Sequence, residues 1–225
     1  MATARRNDPK PPHDVRLDDV LTPRTLGPDG VRGDLVLEDA AVADLALQGE
    51  AIEFAEISGS RFSGGSLADT DWHRSSLVDG VLEGVDLANS RFVESLWRRV
   101  RLDRCRLTGV VLAGCIIEDA VVTGGVLDLA NLRFAQLTRV RFEGCALTNA
   151  DFVEAQLHDV SFEGCDLTGV EFSNAHCQRV RIAGCRLDGV RGVAGLAGAT
   201  IAPTDLLSLT DQLATALGIR VDWDE

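Results

Sequence analysis

Ala150-Asp151-Phe152-Val153-Glu154 runs without a gap into Ala155-Gln156-Leu157-His158-Asp159. Each group of five reads small, polar, large apolar, then two outward or turn positions. Counting in fives on either side of Phe152, all 31 positions from Leu37 to Leu187 are apolar, with no insertion to break the register. On this chain's background of 45% apolar residues, such a run has a chance probability of about 10⁻¹¹, which removes coincidence as an explanation. A second column lies two residues earlier. From Ala40 to Val190 it holds Ala, Gly, Ser, Thr, Cys or Val at 29 of 31 positions, Leu45 and Glu50 being the departures. Neither the helical period nor the strand period produces a repeat of five.

The pattern resembles the pentapeptide-repeat family, whose consensus is A(D/N)LXX. The resemblance implies that each pentapeptide forms one side of a square coil and that four of them complete a turn. The expected fold is therefore all-β, a right-handed quadrilateral parallel β-helix of about eight coils. Spacings of twenty residues agree with it. Phe62, Phe142 and Phe162 fall on one predicted side and Phe92, Phe152 and Phe172 on the opposite one, while Leu47 to Leu187 in steps of 20 are all leucine. Gly64, Gly84, Gly124, Gly144, Gly164 and Gly184 share a corner column, and Asn89, Gly109, Asn149, Gly169 and Gly189 a neighbouring one, as positive-φ turns favour. All six prolines lie outside the repeats, where they disturb no ladder of N–H groups.

Three regions follow: an N-terminal extension (1–30), the repeat helix (31–192) and a C-terminal element (193–225). Residues 1–30 are Pro-rich and charge-balanced, and read as a mobile or loosely docked lead-in. Pro203-Thr204-Asp205 opens an amphipathic helix of about 14 residues with Leu206, Leu209, Leu213 and Leu217 along one stripe, stopped by Gly218. That stripe either caps the last coil or, as in some members of the family, builds a homodimer together with Ile219, Val221 and Trp223. Open β edges need cover in any case.

The chemistry-bearing residues are few. Cys105, Cys115, Cys145, Cys165 and Cys185 all occupy the small inward column and Cys177 the large one, so they read as small hydrophobes and not as metal ligands or disulfides. His13, His73, His158 and His176 lack helical pairing or an acidic companion at a known catalytic spacing. With no P-loop, GxGxxG, GxSxG or HExxH, neither an enzyme nor a cofactor is expected. No apolar h-region or membrane-length stretch is present, which points to the cytoplasm.

Charge supplies the functional lead. A net charge of −13 disfavours direct nucleic-acid binding and favours a basic protein partner. Asp79, Arg99, Asp119, Arg139, Asp159 and Arg179 alternate in sign every 20 residues, and Arg61, Arg101, Arg141 and Arg181 recur every 40. Two blocks carry seven acidic residues and no Lys or Arg: Asp34 to Glu56, and Glu143, Asp151, Glu154, Asp159, Glu163, Asp166 and Glu171. The second block is the candidate interaction surface. The main reading is a non-enzymatic interaction scaffold with an unassigned protein partner. The resemblance adds an alternative, because some family members mimic B-form DNA, bind DNA gyrase or topoisomerase IV, and protect these type II topoisomerases from quinolones or toxins. The uninterrupted coils are most similar to the loop-free mycobacterial quinolone-resistance type and lack the inserted loops of the plasmid-borne Qnr type.

Overall fold

A computed structural model describes residues 8–27, 34–220 and 222. Its body is a parallel β-solenoid. Strands 76–83, 96–103, 116–123, 136–143 and 156–163 lie one above the next, so that Arg98 pairs with Glu118 and Phe142 with Phe162, each 20 residues on. The four sides are named here by one inward residue each: Leu137, Phe142, Leu147 and Phe152. Eight-residue strands run along the first two sides; on the other two, single bridges such as Ala146 to Asp166 and Asp151 to Glu171 link the later coils, and the short strands Ala51–Glu53, Asp71–His73 and Arg91–Val93 pair on the Phe152 side of the first ones.

The five-residue unit follows from strand geometry and one sharp bend. Side chains alternate across a strand, so the small residue and the large one two places later both point inward. Two places further on the backbone turns left-handed, with φ of 57° at Asn89, 54° at Arg139 and 68° at Gly169, and the next side begins. Sorting of side chains by coil is as expected from the spacings. Phe142 stacks on Phe162 with ring centroids 5.1 Å apart, Phe152 stacks on Phe172 at 5.3 Å, and Phe152 meets Phe162 edge-to-face at 5.9 Å. The prism between them is filled. A cavity between Leu26 and Trp97 measures only about 30 Å³ and is lined almost wholly by apolar side chains. That is room for about one water molecule, with hardly a polar group to hold it.

Both ends leave the twenty-residue register. At the start, Thr22–Arg24 pairs with Ala40–Val42 at an offset of 18, and buried Leu26 closes the coil, so the ladder begins ahead of residue 31. At the finish, Thr200–Ile201 pairs with Arg181–Ile182 at an offset of 19. The C-terminal helix is shorter and more broken than its leucine spacing predicts. Helix Pro203–Leu206 passes through a tighter 3₁₀ turn at Leu207–Leu209 into helix Thr210–Ala216. A polar anchor accounts for the tight turn. Asp205 is buried, its carboxylate accepts the Cys185 N–H at 2.9 Å, and its own carbonyl accepts the Ser208 hydroxyl at 2.8 Å. Held there, the turn seats Leu209 in the core at 0% exposure.

Candidate interaction surfaces

A filled prism leaves only its outside for function, and the outside is organised by stacking. At the corner between the Leu137 and Phe142 sides, Arg99 grips Asp79, Arg139 grips Asp119, and Arg179 grips Asp159, each through two hydrogen bonds of 2.5–2.9 Å. Each arginine lies one coil beyond its aspartate, so the alternating signs form separate bidentate pairs. Asp119 and Asp159 are 4% and 2% exposed. The Arg179 guanidinium holds Asp159 down to about 2 against the opposing effect of burial. Burial raises the Asp119 carboxyl, yet the hydrogen bonds from Arg139 and from His13 outweigh it and the net shift is downward. His158 also touches both Arg179 and Asp159.

The candidate acidic set does not come together on one side. Glu143 and Glu163 lie on the Phe142 side, Asp166 on the Leu147 side, Asp151 and Glu171 on the Phe152 side, and Glu154 and Asp159 at corners. Five of the seven carry an arginine partner. These are Glu143 with Arg141 at 3.2 Å, Asp151 with Arg133 at 3.0 Å, Asp159 with Arg179 at 2.6 Å, Asp166 with Arg186 at 3.2 Å and Glu171 with Arg191 at 3.0 Å. The other block behaves differently. Among the described residues, Asp34, Glu38, Asp39, Asp44, Glu50, Glu53 and Glu56 make no ion pair, while Arg61 and Arg74 of the next coils are engaged by Glu83 and Glu94. The first coils thus carry a rim of carboxylates with no ion-pair partner among the described residues.

The leucine stripe divides. Leu209 is buried and Leu213 packs against the core, whereas Leu206 and Leu217 are exposed, Leu217 by 75%. Exposed Leu207 and Ile219 extend that outer apolar surface, while Val221 and Trp223 lie outside the described residues. Sequence spacing missed Leu207 because the 3₁₀ turn rotates it outward.

The cysteines are all free, and five of the six are buried. Their thiols donate to a carbonyl of the coil before, as Cys145 does to Val122 at 3.3 Å and Cys185 to Phe162 at 3.4 Å. Burial pushes the Cys105, Cys115 and Cys177 thiols up to about 11. Among the described residues no group of His, Cys, Asp and Glu could hold a metal, and no helix is long and apolar enough to cross a membrane.

A solenoid whose every side is five residues long and whose core alternates small and large columns defines a class of stacked, surface-presenting repeat proteins. A model of the pentapeptide repeat region matches residues 95–163 and 135–191, so the stretch 95–191 carries the repeat of the pentapeptide-repeat family. Among solved structures it is similar to QnrB1, a plasmid-mediated fluoroquinolone resistance protein, at 17% identity over 84% of this chain and 99% of that one, with a TM-score of 0.30. It is also similar to HetL, a pentapeptide repeat protein involved in heterocyst differentiation regulation from the cyanobacterium Nostoc, at 16% identity over 71% of this chain and 86% of that one, with a TM-score of 0.30. Superpositions this loose are no guide to function. No curated protein matches the chain.

Proposed function

We propose that the chain is a non-enzymatic interaction scaffold whose working surface is a stiff acidic rod, and that it docks in a basic protein groove of the kind that otherwise holds DNA. The supporting observation is the rim of seven carboxylates on the first coils that make no ion pair among the described residues, in a protein whose net charge is −13. The filled interior keeps the rod from yielding under that charge. A type II topoisomerase is the partner that the family resemblance suggests, which would place the protein in the cytoplasm. QnrB1 is itself described as a fluoroquinolone resistance protein.

A supercoiling assay with purified DNA gyrase, with and without a quinolone, tests this reading. The protein is expected to inhibit supercoiling or relieve the drug at low salt, and the effect should fade as salt shortens the screening length to a few ångströms. The triple change Glu38→Gln, Glu53→Gln and Glu56→Gln should weaken it without unfolding the rod, since all three residues are exposed. Absence of any effect at low salt removes the topoisomerase and leaves a scaffold for another protein.

A further inference from the structure

Residues 8–21 form neither helix nor strand, yet they are fastened to the rod at regular intervals. The N–H of Lys10 donates to Asp159 Oδ1 at 3.0 Å, that of His13 to Asp119 Oδ1 at 3.0 Å, and that of Arg16 to Asp79 Oδ1 at 2.9 Å. Donors come every three residues and acceptors every forty, which is every second coil. The two repeats match in length. A polyproline II helix advances about 9.3 Å in its three-residue turn, and two coils at about 4.8 Å rise about 9.6 Å. Pro9, Pro11 and Pro12 hold φ near the polyproline value and fall only where no N–H is used.

The rod side of the contact has the same two-coil period. Along the outer row of the Phe142 side, long Arg101, Arg141 and Arg181 alternate with short Val121 and Ser161, leaving notches. Pro11 and Pro12 line one recess with Arg101, Val121 and Arg141, and Pro9 lines the next with Arg141, Ser161 and Arg181. Asp14 and Asp8 of the strap face Arg101 and Arg181 at 3.8 and 3.7 Å. Each aspartate of the corner therefore does two things: two hydrogen bonds from its arginine fix the carboxylate, and one of its oxygens still takes a backbone N–H.

We propose that this corner is a peptide-binding track selective for the polyproline II conformation, and that residues 8–16 are its intramolecular occupant. Its partner in trans is a proline-containing extended segment of another protein with a free N–H at every third residue. The track reads pitch and backbone, because its three fixed acceptors contact main-chain N–H groups, while the notches admit proline rings. This binding function is separate from the acidic rim and does not depend on the topoisomerase reading.

Two measurements on the full chain test it. Amide hydrogen exchange should show Lys10, His13 and Arg16 protected while Asp14, Val15 and Leu17 exchange freely; uniform exchange along the strap would overturn the register. For binding in trans, a fluorescent peptide with the sequence of residues 8–17 is titrated into the native chain and into a full-length variant carrying Pro9→Gly, Pro11→Gly and Pro12→Gly. The loosened variant should bind it at least about tenfold more tightly, because the native strap competes at high effective concentration. A peptide with one glycine inserted between Pro12 and His13 loses at least one charged hydrogen bond and should bind the loosened variant about tenfold more weakly than the unaltered peptide does. Equal binding of the two peptides, or no binding to the loosened variant, sinks the proposal.

Discussion

At the scale of single residues, the corners show how stacking decides what local propensity leaves open. Gly and Asn both suit a left-handed corner, and the column from Asn89 to Gly189 holds one or the other except at Leu129, whose φ is 60°. Stacking separates them. Asn149 Oδ1 lies 2.4 Å from where a Cβ on Gly169 would be, and Asn89 Oδ1 stands 2.6 Å from that of Gly109, so an asparagine requires glycine one coil on. Gly169→Ala, with φ of 68°, is expected to cost about 1–2 kcal/mol in thermal or urea unfolding, and adding Asn149→Gly should return part of it. If the double variant is no more stable than Gly169→Ala alone, the contact is not the cause. The Asp–Arg corner makes a second expectation, this one about acid. Asp159 has a pKa lowered to about 2 in the fold, against about 3.9 in an unfolded chain. A depressed carboxylate stabilises the fold fully above its unfolded value and loses that contribution as pH falls toward the folded one. Between about pH 4 and pH 2 the native melting temperature should therefore fall more steeply than that of Asp159→Asn with Arg179→Gln.

At the scale of elements, the aromatic stacks hold the coils in register. Phe162 is fully buried, stacked on Phe142 and edge-on to Phe152 and Phe172. Phe162→Ala removes all three contacts and is expected to cost about 3–5 kcal/mol, whereas Phe162→Leu keeps most of the volume and should cost much less. Denaturant midpoints of the two variants give the comparison, and similar losses would mean that the ring contributes no more than any apolar group. This register was legible in the sequence because inward columns tolerate only certain sizes, so Leu147, Phe152 and Cys145 announce their places. Outward residues obey no such size rule, and there the linear reading went astray. The block from Phe142 to Gln178 contains no Lys or Arg, yet Arg133, Arg179, Arg186 and Arg191 reach its acids from neighbouring coils. In a coil of twenty, charge neighbours are twenty apart and seldom adjacent in the chain. The strap was hidden for a related reason. Its every-third-residue donors act through backbone N–H groups, which leave no trace in side-chain pattern, and only the forty-residue spacing of Arg101, Arg141 and Arg181 hinted at a two-coil device.

At the scale of the whole molecule, the rod is a ladder with two ends, and parallel ladders end in unpaired N–H and C=O groups that invite another copy. Head-to-tail addition is a heterologous contact that never closes, so an unprotected rod would grow into fibres. The two ends of this chain are closed by different means. The first coil is covered by Thr22–Arg24, which pairs with Ala40–Val42, and by buried Leu26. The last coil is roofed by Val193–Leu196, whose Gly195 lies so close that a Cβ there would sit 1.9 Å from the Phe172 carbonyl oxygen, and by Leu209 dropped into the core. Leu209→Asp places a charge in that dry seat and should lift the roof while the stacked coils below stay folded, because each coil depends mainly on its neighbours. The expected outcome is concentration-dependent association seen by sedimentation velocity, with unchanged β-rich circular dichroism. Leu217→Asp, at a side chain already in water, should leave the roof closed and so serves as the matched control for added charge. If the parent chain dimerises through its outer leucines, that same control separates the two uses of the element, since it would yield monomers where Leu209→Asp yields polymers. Monomers from both variants would show that the ladder's end needs no roof.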